Sequence, residues 1–239
     1  MKISIELDKK SKASELQFDI KGDEENGLDK TIVNSLRRTL LSTIPTVAFR
    51  TEINNSDITI KKNISSLHNE FIADRIGLIP LYINPLDYQK QYLFHLHVSN
   101  NQSEPITTIT ANDFDIYPLK KGIDPTLLES IDFSDYDKEN KLPQNKKDDI
   151  LKPFKFNGKK NYCIITELKT TNSSTLQEIE LYGVPSVSYA YENAKWQAVS
   201  RSSYSFKRDP KLFETILNQK VELNEIPKSK IPKFKKELY

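Results

Sequence analysis

The amino-acid sequence predicts an α+β protein. Short runs such as Ile3, Ile5, Leu7 and Leu16, Phe18, Ile20 alternate at period two, the signature of half-buried strands. Leu28, Ile32, Leu36 and Leu40, with Val33 and Leu41, recur instead at helical spacing. The middle of the chain is a series of brief apolar runs with strand-like lengths and flanks.

Taken in order, 3–7 and 16–20 predict an opening hairpin around a polar Lys/Ser segment, and Gly22 to Gly27 breaks the pattern. A helix follows over 28–44, with Asp29 suited to its positive N-terminal end and Pro45 stopping it. A strand-like stretch runs through Val47, Phe49, Ile53, Ile58 and Ile60. A second helix is predicted over 64–76, with Leu67, Phe71 and Ile72 inward and Gly77 and Pro80 as its stop. Further strands are expected over 92–98, 105–117, 161–168 and 176–182, and a last one from Ala194 to Phe206. Residues 121–152, rich in Asp, Lys, Asn and Pro, predict a solvated loop with little fixed structure. Lys211 to Gln219 can form two helical turns, and the closing dozen residues resemble a linker or basic arm.

The 239 residues are 37% hydrophobic and 28% charged, with a mean hydropathy of −0.58. No run approaches the roughly 20 apolar residues of a membrane helix, so no membrane partner is expected. The single cysteine, Cys163, excludes an internal disulfide and the Cys-rich zinc modules, and an intracellular, reducing setting follows as the expectation. The net charge of +2 is too small for a protein that coats nucleic acid. Its distribution is uneven, since residues 201–239 carry ten Lys/Arg against five Asp/Glu. Of the 35 basic residues only six are Arg, a skew like that of AT-rich coding in large DNA viruses and some protists.

A search for catalytic chemistry returns little. Gly22 and Gly27 have the spacing of phosphate-loop glycines, but Leu28-Asp29 stands where Lys and Ser/Thr belong. His68 has no second histidine at metalloprotease spacing, and His95 and His97 read as one solvated face of a strand. Asp113/Asp115 and Asp132/Asp135/Asp137 read as surface charge, not as a magnesium or calcium site.

Two segments are far more specific: Asn34-Ser-Leu-Arg-Arg-Thr-Leu-Leu-Ser-Thr-Ile-Pro-Thr-Val-Ala48 and His68-Asn-Glu-Phe-Ile-Ala-Asp-Arg-Ile-Gly-Leu-Ile-Pro-Leu81. Glu192-Asn-Ala-Lys-Trp196 is a weaker third, preceded in order by Ile164–Leu168 and Leu176–Ile179. Together they resemble the third-largest subunit of eukaryotic RNA polymerase II, its archaeal counterpart and, more distantly, the amino-terminal domain of the bacterial alpha subunit. The match spans about residues 3–206.

The resemblance implies a discontinuous dimerisation domain of hairpin plus helices, 1–50 with 198–239, interrupted by a mostly β inserted domain, 51–197, that carries the polar loop 121–152. It implies a non-catalytic assembly subunit of a DNA-directed RNA polymerase that pairs with a smaller alpha-like partner, separate or fused, as the platform for the two largest subunits. DNA would be contacted only indirectly, and no cofactor would be bound here, Mg²⁺ belonging to the catalytic subunit. The interface residues it implies are Val33, Asn34, Leu36, Arg37, Arg38, Leu40, Leu41 and Ile44 on the first helix, with Glu70 and Arg75 on the second. From the residues themselves, Leu28, Ile32, Leu36 and Leu40 suit the chain's own sheet, and Val33, Leu41 and Ile44 suit a neighbour. Arg75 suits equally a local ion pair with Glu70 or Asp74.

Two departures stand out. The stretch about 84–97, where some relatives bind zinc through a Cys cluster, has no cysteine, so no metal is expected. Residues 207–239 supply only a short helical candidate where relatives close with a long helix, as if that helix were reduced, partner-supplied or in a longer polypeptide. A viral protein would work in the cytoplasm or virion, a cellular eukaryotic one in the nucleus. The alternative is a free-standing adaptor or nucleic-acid-binding protein that uses the Lys-rich tail on phosphate.

Overall fold

The computed structural model describes residues 4–7, 15–22, 28–52, 54–88, 90–100, 105–119, 140–170, 176–206, 210–222 and 227. The chain divides into two compact units, Met1–Asn34 with Ser203–Tyr239, and Ser35–Ser202. The architecture is mixed α+β, as the alternating and helical runs predict. Ile53, Gly27, Asp132, Asp135 and Asp137 lie outside the described residues, as do most of the polar loop and the basic arm.

In the first unit, β1 (Ser4–Leu7) and β2 (Phe18–Lys21) form the expected antiparallel hairpin, with Ile5 opposite Ile20 and Leu7 opposite Phe18. The helix α1 (Lys30–Ser42) starts in this unit and continues into the second. Asp29 stands just before it and accepts the Thr31 N–H at 3.1 Å, satisfying one orphan donor of the first turn. That bond holds the Asp29 carboxyl below its usual range.

The second unit is built on a four-stranded antiparallel sheet. The 46–63 stretch is cut into β3 (Thr46–Ala48), β4 (Thr51–Glu52), β5 (Asn55–Ser56) and β6 (Ile58–Asn63). The helix α2 (Asn69–Gly77) starts later than the 64–76 spacing suggests. After it come β7 (Tyr92–Ser99), β8 (Ile106–Thr110) and β9 (Asp115–Pro118). A short 3-10 turn separates the last two, where the pattern over 105–117 predicts one strand. Thr110 and Asp113 cap that turn reciprocally, which accounts for the Asp113 carboxylate.

A third helix, α3 (Gln144–Ile150), occupies the end of the segment whose composition predicts a structureless loop. Its buried residues, Lys147 and Ile150, explain the difference. Ile150 and Leu151 enter the main core, and the Lys147 ammonium donates to the Asn112 carbonyl. A charged composition conceals a segment with one apolar anchor point. The chain then forms β10 (Phe154–Phe156), β11 (Lys159–Asn161), β12 (Ile164–Lys169), β13 (Glu178–Gly183) and β14 (Ser186–Ser188).

The sheet order is β6-β13-β7-β9, and β12 pairs with β8, β10 with β11, and β14 with β3, each as a two-stranded ribbon. The strand expected over 194–206 is absent; a 3-10 turn at Ala194–Trp196 buries the indole, and the described residues after it are irregular. The last helix, α4 (Pro210–Glu222), is longer than two turns and opens on a proline, whose missing N–H costs nothing there. No helix among the described residues is long and apolar enough to cross a membrane.

Alternation along the sheet fixes the core. Phe94 and Leu96 of β7 and Ile179 and Leu181 of β13 share one core with Ile72 and Ile76 of α2, both fully buried. Phe71, expected inward, is 61% exposed, because the inward stripe runs through 72 and 76. Phe49, Phe94 and Phe114 meet at the centre, with edge-to-face contacts at 5.1 and 5.8 Å. Gly183 sits where β13 crosses the 57–58 chain, and a Cβ there would stand 2.8 Å from the Asp57 carbonyl oxygen. A backbone atom cannot swing aside, so Gly183→Ala should destabilise the protein by about 1–3 kcal/mol, read as an unchanged denaturant slope with a lower midpoint.

Candidate subunit interface

The helix α1 has no buried residue. Val33, Leu36, Arg37, Leu40, Leu41 and Ile44 are half-buried and lie along one stripe, and Asn34 is half-buried beside it. Ile32, which the spacing places inward, is 39% exposed, so the apolar surface forms one stripe where the sequence suggests two. The two arginines part company: Arg37 lies on the stripe and, like Asn34, is engaged by a neighbour, while Arg38 is exposed on the far side. The helix end is held by the Thr43 hydroxyl on the Thr39 carbonyl at 2.7 Å and by the Tyr191 N–H on the Ser42 carbonyl at 3.2 Å.

Three stretches of the sequence meet just beyond that end. Trp196 is fully buried, and the turn carrying it is capped by the Asn193 side chain on the Lys195 N–H at 3.1 Å. The Arg50 guanidinium lies 5.2 Å from the indole centroid and pairs with Glu192 at 2.6 Å. The Lys195 ammonium sits 5.6 Å from the same ring, donates to the Thr51 hydroxyl and lies 3.7 Å from Glu52. Thr51 in turn donates to Asp74 of α2 at 2.9 Å. Close by, Gly77 ends α2 so tightly against 49–51 that a Cβ would stand 2.9 Å from the Thr51 methyl.

On the 57 side, the Asp57 carboxylate accepts the Arg50 N–H at 2.8 Å and the Ser186 hydroxyl at 2.6 Å. Burial raises its pKa, and those two bonds oppose the rise. Sequence reasoning misses Arg50, Thr51 and Asp57. The scarcity of arginine is the signal that points to the first.

The remaining candidates resolve into local roles. Arg75 donates to the Ile164 carbonyl at 3.1 Å, tying α2 to β12, where the sequence offers an ion pair with Glu70 or Asp74. Glu70 is exposed beside a polar hollow lined also by Asn63, Ser65 and Asn69. Asp115 pairs with Lys141 at 2.5 Å.

His95 and His97 share a face as predicted, but that face is only partly solvated. It also carries Leu93, which packs with Tyr117, Tyr182 and Val184 in a second small apolar cluster. Burial lowers the His95 pKa. His97 lies 2.7 Å from Glu178, which also accepts from Lys62. No group of three or more His, Cys, Asp or Glu among the described residues could hold a metal ion.

Residues 24–225 match the model of the RNA polymerase Rpb3/Rpb11 dimerisation domain. The chain belongs to that family. It is 26% identical over 188 residues to the DNA-directed RNA polymerase subunit Rpo3 of Methanosphaera stadtmanae, covering 75% of this chain and 54% of that one. It is 33% identical over 108 residues to the RNA polymerases I and III subunit rpac1 of Dictyostelium discoideum, covering 45% of this chain and 25% of the relative. Over 72 residues it is 42% identical to subunit 3 of RNA polymerases II, IV and V of Arabidopsis thaliana, covering 30% and 21%. The aligned part of these relatives is thus between about a fifth and about half of their length.

In this Rpb3/Rpb11-type chain the Lys62–Glu178–His97 ladder couples three strands and should be legible in pH. The bonds from Lys62 and then His97 lower the Glu178 pKa, so its stabilisation is present above the unfolded value near 4.5 and lost as pH falls through the folded one. Glu178→Gln should lower stability by about 1 kcal/mol at pH 7. The gap to the unmutated protein should close on acidification below the unfolded value, as followed by thermal melting across pH.

Proposed function

We propose that this chain is a non-catalytic assembly subunit of a multisubunit DNA-directed RNA polymerase. Its dimerisation domain, 1–50 with 198–239, is interrupted by the inserted domain 51–197. The observation that carries the reading is α1: in a dimerisation-domain family, an amphipathic helix of thirteen residues buries none of them against its own chain. The stripe Val33, Leu36, Leu40, Leu41 and Ile44 meets a like helix of a smaller alpha-like partner, with Asn34 and Arg37 setting orientation through directional hydrogen bonds. Arg38, exposed on the far side, and Glu70 and Arg75 on α2 face the two largest subunits.

The catalytic carboxylates and Mg²⁺ belong to the largest subunit, and this chain binds no cofactor and touches DNA only through the assembly. Its compartment is that of the polymerase, the nucleus in a cellular eukaryote and the cytoplasm or virion in a virus. Tagged chain recovered from its native cells should bring down a partner subunit and the polymerase large subunits by mass spectrometry. Recovery free of any large subunit would overturn the reading.

Within that complex, Leu41→Asp should weaken pairing at least tenfold, because it places a charge on the covered stripe. Arg37→Ala with Arg38→Ala should reduce partner or large-subunit binding and leave the isolated chain folded, as read by circular dichroism. A loss of folding with no selective binding defect would assign these arginines to the chain's own stability.

A further inference from the structure

We propose that β10 is a docking edge for an extended segment of another protein, one that alternates apolar and acidic residues and adds as a third strand to the β10–β11 ribbon. The ribbon is two-stranded, and no strand among the described residues pairs with the outer edge of β10. Its turn, Asn157-Gly158, has φ of 49° and 74°, the two positive angles of a tight two-residue hairpin. Such a turn makes Phe156 and Lys159 the hydrogen-bonded pair that closes it. By alternation the Lys155 N–H and C=O then point away from β11. They are a donor and an acceptor ready for a further strand.

The two faces of the ribbon differ. The register puts Phe154 opposite Asn161 and Phe156 opposite Lys159 on one face, and Lys155 opposite Lys160 on the other. All three residues of β10 are exposed, the rings by 60% and 66%. Asp148 of α3 neutralises Lys160 at 2.6 Å, whereas Lys155 has no ion-pair partner among the described residues. Along the edge of β10 the order is therefore apolar, cationic, apolar. Side chains adjacent across two strands share a face, so the best complement reads apolar, acidic, apolar.

Charge and pattern decide the occupant. From Ile150 to Thr166 there are four lysines and no acidic residue, so a basic strand finds no counter-charge. A second copy of β10 laid in register would set Lys155 against Lys155, which disfavours self-pairing. An apolar pocket would cover the rings but leave Lys155 and its outward N–H and C=O without partners. The β11 side is already engaged, since the Asn161 side chain donates to the Lys159 carbonyl at 3.2 Å and the Tyr162 hydroxyl to Asp148 at 2.8 Å. Asp148, with Ile150 and Leu151 in the core, also fixes the root of the ribbon, so little freedom is lost when the edge is covered. The inference does not rest on the polymerase reading.

The test is fluorescence anisotropy of a short labelled peptide alternating Val and Glu with the full chain, beside a control alternating Val and Lys. The Glu peptide should bind, and the Lys peptide several-fold more weakly. F154A/F156A should weaken binding by about tenfold or more. K155E should reverse the preference between the two peptides. Both variants should remain folded by circular dichroism, because the three side chains are exposed. Bound Glu peptide should slow hydrogen exchange of the Lys155 amide, which a contact through the rings alone would not do. No binding by the unmutated chain, equal binding of the two peptides, equal binding by F154A/F156A, an unchanged preference in K155E, or unchanged exchange at Lys155 would each overturn the proposal. Self-association of the unmutated chain in ultracentrifugation that is lost in F154A/F156A would overturn it too, and would mark the edge as a contact between copies.

Discussion

The second unit depends on how the 49–52 segment is clamped. On one side stands Trp196, fully buried on a short 3-10 turn that packs against β3. On the other stands the end of α2, where Gly77 lets the helix approach within van der Waals contact of Thr51 and Phe49. The two meet through a short polar relay in which Lys195 donates to Thr51 and Thr51 donates to Asp74. The buried indole N–H has no acceptor among the described residues, a cost of about 1–3 kcal/mol. Two cations over the ring and the burial of the whole ring offset it. Remove the tryptophan and the relay loses the surface that holds Lys195 in place.

This clamp bears on α1 directly. The Tyr191 N–H bonds the Ser42 carbonyl at the end of the helix, and the same loop brings Glu192 to Arg50 and to the Ser188 hydroxyl. A helix with no buried residue gains little from its own core, so its C-terminal direction is set mainly by these bonds. Anchoring at one end and a half-buried apolar stripe along the length suit the pairing role proposed for this helix. A stripe presented at a set angle loses less freedom on pairing than one on a loose segment.

What is legible in the sequence follows from periodicity. The hairpin, α1, the strands around 92–98 and 176–182 and the inward face of β7 are all readable, because alternation and helical spacing report which face is covered. What escapes reading depends on single contacts. Helix α3 is polar in composition yet anchored by Ile150, and the 194–196 turn looks strand-like until Trp196 must be buried next to Arg50. Phe71 and Ile72 are adjacent apolar residues, and only tertiary packing chooses between them. On α1, helical spacing suggests two apolar faces where the structure has one stripe, because Ile32 lies off it.

The arginines show where composition yields to geometry. With only six arginines among 35 basic residues, the guanidinium groups stand where a point charge would not serve as well. Arg50 stacks near an indole while pairing with a carboxylate, which uses a flat cation with donors in its plane. Arg75 reaches across from helix to strand to a carbonyl that has no charge to attract an ammonium strongly. Arg37 lies within an apolar stripe, where the weaker hydration of a guanidinium lowers the cost of covering it. Lysines, by contrast, gather where only charge is needed, as on the β10–β11 hairpin. The difference does not sort every cation, since the Lys195 and Lys147 ammonium groups also fasten the fold, where a single hydroxyl or carbonyl is the acceptor.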